Sequence, residues 1–181
     1  DSSSSSTLTT TPTTSFGQQH RSLPATANRV HLIVLVHGWM GSAGELGYLH
    51  QALEKRAAIV QESHPETYYL VHSAQDNDGR TSDGIAAGGS RLAIEVNRII
   101  QDVADQVPKD KRKGISLSFV GNSMGGLLAR YALSEIPSLQ PDSATSESTQ
   151  VESRVFCTTA TPHLGVSQHT YLPLPRSIEY V

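Results

Sequence analysis

The stretch Ile115–Gly126 reads ISLSFVGNSMGG, and this stretch decides the fold. Residues 115–120 have the apolar character of a buried strand, and the glycine-rich turn after them leads directly into a predicted helix. A strand, a tight turn and a helix in this order are typical of an α/β protein. The predicted helix carries four large apolar side chains: Leu127, Leu128, Tyr131 and Leu133.

Ser123 lies at the centre of this turn, two residues from Gly121 and two from Gly125. A serine hydroxyl is a weak nucleophile that needs exposure, a neighbouring base and donors for the oxyanion that it generates. Glycines at these two positions remove Cβ atoms that would clash in a sharp strand-to-helix turn, so the turn can present Ser123 in a strained conformation. The following helix adds the positive end of its dipole. The alternative is that Ser123 only caps that helix.

A second unusual loop, His37-Gly38-Trp39-Met40-Gly41, follows the apolar run at residues 30–36. The end of an early strand is where an oxyanion-hole loop belongs, so we expect the backbone N–H groups of Trp39 and Met124 to point at the substrate carbonyl oxygen. The side chains of Trp39 and Met40 are expected to line the acyl pocket. His37 is predicted to hold the loop in place rather than to act as the base.

Strands and helices alternate along the chain, which requires parallel strand pairing with right-handed crossovers. The fold class is therefore α/β, with a parallel sheet of about four strands and helices on both faces. In such sheets ligands bind outside the carboxyl ends of the strands, where the unusual loops lie. The four predicted strands span residues 30–36, 67–71, 115–120 and 154–159, and helical spacing of apolar residues runs over 46–60 and 85–103.

The chain divides into a leader and one domain. Residues 1–28 are rich in Ser and Thr with almost no apolar periodicity, a composition typical of a disordered leader. Residues 29–181 form the predicted domain, which is interrupted by a polar insertion at 139–153. Cys157 lies in the apolar run of the fourth strand and is predicted to be a small buried hydrophobe.

Composition excludes several classes of partner. Fourteen basic and seventeen acidic side chains leave a formal net charge of −3, which is no electrostatic footprint for nucleic acid. No pattern of metal-binding residues or cofactor motif is present, so we expect neither a metal nor a cofactor. No apolar stretch approaches the ~20 residues of a membrane-spanning helix. Together with the single cysteine, this favours an intracellular location.

Four blocks of the sequence stand out: LVHGWMG at 35–41, TSDGI at 81–85, FVGNSMGGLLAR at 119–130 and ATPHLG at 160–165. Together they resemble the serine esterase family of lipase-like α/β-hydrolases, a group related to acylglycerol lipases and phospholipases. The resemblance covers roughly residues 30–166 and implies a partial α/β-hydrolase fold. Asn122 stands where many relatives carry His, a position expected to tune activity. Asp83 has no catalytic task in the family pattern and is predicted to cap a helix.

The resemblance implies hydrolysis of a carboxylic ester, with an acyl lipid or a small ester as substrate, through an acyl-enzyme on Ser123. It also suggests contact with a membrane surface or a lipid droplet. His163 is expected to border the active site rather than to be the base. Two alternatives stay open: a non-catalytic hydrolase-fold protein that binds lipid or a partner, and an acyltransferase that uses the same acyl-enzyme.

The order of catalytic residues in α/β-hydrolases is nucleophile, acid, histidine, with the last two on loops after later strands. None of the residues that follow Ser123 is placed where a triad acid or base is usually held. We therefore expect this chain to be an N-terminal fragment that is nearly inactive alone. The acids after Ser123 are Glu135, Asp142, Glu147, Glu152 and Glu179, and the histidines are His163 and His169.

Overall fold

The computed structural model describes residues 22–107, 114–139 and 151–165. They contain one four-stranded sheet in the order β2-β1-β3-β4, and every neighbouring pair of strands is parallel. The predicted α/β class and the sheet of four parallel strands are confirmed. The strands are β1 (Arg29–Val36), β2 (Thr67–Ser73), β3 (Gly114–Asn122) and β4 (Val151–Thr159).

Within the described ranges three helices connect the strands, and the strand order fixes the face on which each helix lies. The chain moves from β1 to β2 in one direction across the sheet and from β2 to β3 in the other. Right-handed crossovers therefore put α1 on one face and α2 and α3 on the opposite face. The extensive packing of α2 against α3 agrees with this. The helices are α1 (Gly47–Ser63), α2 (Ile85–Gln106) and α3 (Met124–Glu135), and a short 3-10 helix follows at Pro137–Leu139.

The core lies between the sheet and the pair α2–α3. Leu32 and Val34 of β1 are almost fully buried, as are Leu92 and Val96 of α2. In contrast, α1 has no fully buried residue. One face of the sheet thus carries most of the apolar burial that holds the described part of the chain together.

The edge strand β4 corrects two predictions. It begins at Val151, so the last three residues of the predicted polar insertion belong to the strand. Cys157 is exposed rather than buried. The reason is that β4 pairs only with β3 among the described residues, and Val155 and Phe156 are exposed with it. The apolar composition predicts that β4 is a strand, but it does not predict whether other parts of the chain pack against that strand and bury it.

The end of the predicted leader contacts the domain. Ala27 is buried, and the backbone N–H of Leu23 donates a hydrogen bond to the Gln106 side chain at 3.0 Å. The remainder of the leader, at 1–21, lies outside the described residues. The same holds for 140–150 of the predicted insertion and for 166–181, which include His169 and Glu179.

Candidate active site

The two loops singled out in the sequence meet at the carboxyl end of the sheet. Strands β1 and β3 are neighbours, with Val36 opposite Gly121. The chain leaves β1 toward the face of α1 and leaves β3 toward the face of α3. Loops that diverge from adjacent strands in this way open a crevice, which is where open α/β sheets bind ligands.

Ser123 connects β3 to α3 in a strained backbone conformation. Its φ of 52° and ψ of −125° lie in a region that residues with a side chain rarely adopt. Hydrogen bonds from the loop after β4 hold this conformation: the Ser123 N–H donates to the Thr159 carbonyl at 2.8 Å, and the Thr161 hydroxyl donates to the Ser123 carbonyl at 2.8 Å. The Ser123 hydroxyl itself forms no hydrogen bond within the described residues.

The flanking glycines allow close backbone contacts. A Cβ on Gly121 would lie 2.5 Å from the Cα of Gly126, and a Cβ on Gly125 would collide with the carbonyl oxygens of Val36 and His37. Real Cβ atoms do not approach backbone this closely. The absence of a side chain at Gly121 therefore lets the first turn of α3 fold back on β3, and its absence at Gly125 lets that turn pack directly on the end of β1.

The loop after β1 packs against Ser123. A Cβ on Gly38 would lie 3.0 Å from the Cβ of Ser123 and 3.5 Å from its Oγ. The backbone N–H groups of Trp39 and Met124 donate no hydrogen bond within the described part of the chain. Both amides are therefore unpaired next to the turn that carries Ser123, as donors for an oxyanion must be.

His37 is buried beneath this loop. Its Nδ1–H donates to the Gly38 carbonyl at 3.0 Å, and its Nε2 lies 2.9 Å from Asp78 Oδ1, at an angle outside hydrogen-bond geometry. Asp78 Oδ1 also accepts a hydrogen bond from the N–H of Ala43 at 3.0 Å. His37 thus holds the loop from within, and no contact joins it to Ser123 Oγ.

Residues 74–84, which we call the bracing loop, contact the other side of the same segment. The N–H of Met40 donates to the hydroxyl of Thr81 at 2.9 Å, and the indole of Trp39 donates a long 3.4 Å hydrogen bond to Ser82. Met40 has a positive φ of 58° and an exposed side chain. Among the described residues this side chain is directed to solvent. Its expected place in an acyl pocket stays a prediction.

Asp83 does not cap α2, which corrects the prediction. The N-cap residue is Gly84, with a φ of 92°, and no side chain caps the helix. The Asp83 carboxylate instead accepts a hydrogen bond from Arg91 at 2.8 Å. Glycine occupies the cap because L side chains rarely adopt this φ, so the neighbouring carboxylate is available for Arg91.

Glu95 anchors the start of the bracing loop. Its buried carboxylate accepts hydrogen bonds from the N–H groups of Gln75 and Asp76, at 2.8 and 3.0 Å, and pairs with His72 Nε2 at 2.7 Å. Burial on its own would raise the pKa of Glu95, but the His72 interaction and the two backbone donors hold that pKa below its usual value. The carboxylate is therefore kept charged to organise the loop.

Asn122 joins the elbow, the turn at residues 121–125 that carries Ser123, to both neighbouring loops. Its amide donates to Glu45 Oε1 at 2.6 Å, and its Oδ1 accepts from the Thr159 hydroxyl at 2.9 Å. Glu45 belongs to the loop after β1, and Thr159 ends β4. Asn122 therefore connects the two loops that flank Ser123.

His163 makes its contacts away from the Ser123 hydroxyl. Arg130 can only donate, so His163 Nδ1 accepts its hydrogen bond at 3.4 Å, and Nε2 carries the proton toward Thr158 Oγ1 at 3.1 Å. Both ring nitrogens are thus engaged by other residues. Neither His37 nor His163 is bonded to Ser123 as a base.

Sequence reasoning did not identify Thr81, Arg91, Thr159 and Thr161 as supports of the site. Two of them lie within the sequence blocks quoted above: Thr81 in TSDGI at 81–85 and Thr161 in ATPHLG at 160–165. The available signal was a cluster of hydroxyl and acidic side chains directly after strands. Arg91 left a weaker signal, an arginine beside Leu92 near the start of an apolar helix.

None of the helices among the described residues is both long and apolar enough to cross a membrane. No group of three or more His, Cys, Asp or Glu side chains in that part of the chain could hold a metal ion.

The parallel sheet and its helices define a partial α/β-hydrolase fold. The sequence profile of the family described as "Putative serine esterase" matches residues 26–179. The chain belongs to that family.

Curated relatives come from the yeast Saccharomyces cerevisiae. "Putative lipase ROG1" is 31% identical over 137 residues, which is 75% of this chain and 18% of that protein. "Putative lipase YDR444W" is 28% identical over 139 residues, 76% of this chain and 19% of that protein. The chain thus spans about a fifth of the length of these relatives. None of the solved structures matches it.

Proposed function

We propose that this chain supplies the nucleophile and the oxyanion hole of a serine hydrolase that cleaves carboxylic esters. The observation that supports this most is the packing of the Gly38–Met40 loop against Ser123, with the Trp39 and Met124 amides unpaired. The strain at Ser123 adds support, because strain of this kind is retained when a function requires it. Acyl lipids are the proposed substrate class, in line with the lipase names of the relatives.

In the proposed reaction Ser123 Oγ adds to the ester carbonyl carbon as its proton passes to a general base. The negative charge that forms on the carbonyl oxygen is bound by the N–H groups of Trp39 and Met124, and each such donor contributes about 3–4 kcal/mol to lowering the barrier. The C–O bond to the alcohol then breaks, and the alcohol leaves with the proton. Water hydrolyses the acyl-enzyme and releases the acid. Because no described histidine is bonded to Ser123 Oγ, we place the base outside the described residues.

The experiment uses the complete protein that the gene encodes, with p-nitrophenyl butyrate and a phospholipid as substrates. Ser123→Ala should lower kcat by at least ~10⁴-fold, because it removes the atom that forms the acyl-enzyme. Ser153→Ala, on the exposed surface of β4, is the matched control and should keep full activity. Activity that survives Ser123→Ala would overturn the proposal.

Acyl transfer uses the same acyl-enzyme, so it is separated from hydrolysis by the products. With methanol added as a competing acceptor, a hydrolase forms mainly the free acid. A transferase forms mainly the methyl ester. We propose hydrolysis, and predominant ester formation at low methanol would contradict it.

A further inference from the structure

Besides the Glu95 and Arg98 contacts near its start, the bracing loop is attached to the N-terminal part of α2 by Arg91. Arg91 donates three hydrogen bonds to the loop: to Asn77 Oδ1 at 2.9 Å, to Asp83 Oδ2 at 2.8 Å and to the Arg80 carbonyl at 2.9 Å. The planar guanidinium suits this task because it presents its donors in a fixed fork. Each nitrogen of Arg91 thus contacts the bracing loop, and we assign the role of this side chain to that loop.

Asn77 gives the loop a second attachment to the same helix. It is almost completely buried, and its amide donates to the Gly88 carbonyl at 2.9 Å. Its Oδ1 accepts from Arg91, so all of these bonds support one another. The middle of the bracing loop is therefore fixed on the N-terminal part of α2.

Thr81 connects the bracing loop to the loop after β1. Its side chain is buried, and its hydroxyl accepts the Met40 N–H at 2.9 Å. Met40 follows Trp39 directly, so the bond fixes the peptide next to the proposed oxyanion donor. Because Met40 also has a positive φ, this segment needs an external contact to keep its conformation.

We propose that Thr81 and Arg91 are positioning residues for the oxyanion hole: Arg91 fixes the bracing loop on α2, and Thr81 aligns the Trp39 amide through Met40. This inference rests on the proposed function. Neither residue touches the substrate. Their effect is on kcat, because an oxyanion donor acts on charge that develops only in the transition state.

The test measures kcat and KM for p-nitrophenyl butyrate in the complete protein, per active site titrated with a fluorophosphonate. Thr81→Val keeps the shape but removes the acceptor, and should lower kcat about 10- to 100-fold with KM within about threefold. Thr81→Ser restores the acceptor and should recover kcat to within about threefold. Arg91→Lys should lower kcat by a similar factor to Thr81→Val, since an ammonium cannot reproduce the fork.

Arg98→Ala is the matched control. Arg98 lies on the same helix and binds the same loop through Asp76 at 3.2 Å, but it is exposed, and full kcat is expected. A second readout is inhibition by butylboronic acid, which forms a tetrahedral adduct with a serine. Its Ki should rise with the loss in kcat, whereas a purely structural defect would lower only the number of titrated sites.

The outcomes separate the two proposals. Unchanged kcat per site in both Thr81→Val and Arg91→Lys, with Ser123→Ala inactive, would overturn the positioning role and leave the proposed function intact. Loss of kcat in Thr81→Val that Thr81→Ser does not recover would also overturn it. Activity in Ser123→Ala would instead overturn the proposed function.

Discussion

The loop after β1 and the loop after β4 both reach Ser123, yet they are held in different ways. The first is supported from outside by the bracing loop and leaves a backbone N–H without a partner. At the second, Thr159 and Thr161 form hydrogen bonds with the backbone of Ser123. Its histidine, His163, is bonded to Thr158 and Arg130. Under the proposed function, the first loop binds the oxyanion and the second holds the nucleophile in its strained conformation.

The largest effect on this arrangement is expected from Gly125→Ala, which breaks the packing between the elbow and the first loop. The new Cβ would collide with the carbonyl oxygens of Val36 and His37, so α3 must shift away from β1. We expect kcat to fall at least ~100-fold, because displacement of reacting groups by about 1 Å has effects of this size.

The matched control is Gly47→Ala, where a Cβ meets nothing within 4 Å. Steady-state kinetics and thermal unfolding of both variants give the comparison. Equal kinetics for the two would contradict the close packing at Gly125.

Gly38→Ala should have a smaller effect on the same contact. Its Cβ would lie 3.0 Å from the Ser123 Cβ, a distance that a small movement of the loop can relieve. We expect kcat to fall about tenfold with little change in thermal stability, measured on the same ester. A loss of stability with unchanged kcat per titrated site would show that Gly38 serves packing alone.

Glu95→Gln tests the anchor of the bracing loop. At neutral pH the change should lower the free energy of unfolding by about 1–3 kcal/mol, since it weakens hydrogen bonds to a charged acceptor. The folded pKa of Glu95 lies below its unfolded value, so its stabilisation is present above the unfolded pKa and is lost as pH falls through the folded pKa.

Urea unfolding of wild type and Glu95→Gln between neutral pH and about pH 3 measures this difference, since the unfolded pKa of Glu is about 4.3. The two curves should converge toward low pH. A constant difference at every pH would argue against a role for the Glu95 charge.

The smallest effect is expected from His163→Ala, which tests the second loop. Its ring is bonded to Thr158 and Arg130, so kcat should stay within about threefold of wild type. Removal of a true triad base would lower kcat by ~10⁴-fold or more. A loss of that size would make His163 the base and contradict the assignment of this loop to support.

The sequence predicts the sheet well because β1 is a nearly continuous apolar run and β3 leads directly into a glycine-rich turn. The exposure of Cys157 could not be predicted in the same way, because the exposure of a strand residue depends on what lies beside β4 rather than on the sequence of β4 itself. Asp83 shows a similar limit of local rules: the position before a helix suggests a cap, whereas Arg91, eight residues later, binds the carboxylate.

Sequence patterns locate the candidate site only through its backbone features. The glycines and the strand-turn-helix order point to Ser123 and to the loop after β1. The residues that support that loop are distant in sequence: Met40 and Thr81, for example, are 41 residues apart. Local spacing patterns cannot predict such a contact.

The most direct test of the central claim is the site of covalent labelling by a fluorophosphonate in the complete protein. Tryptic digestion and mass spectrometry should find the label on Ser123, and Ser123→Ala should abolish labelling while Ser153→Ala leaves it unchanged. Labelling of a different serine, or no labelling of active protein, would contradict the account.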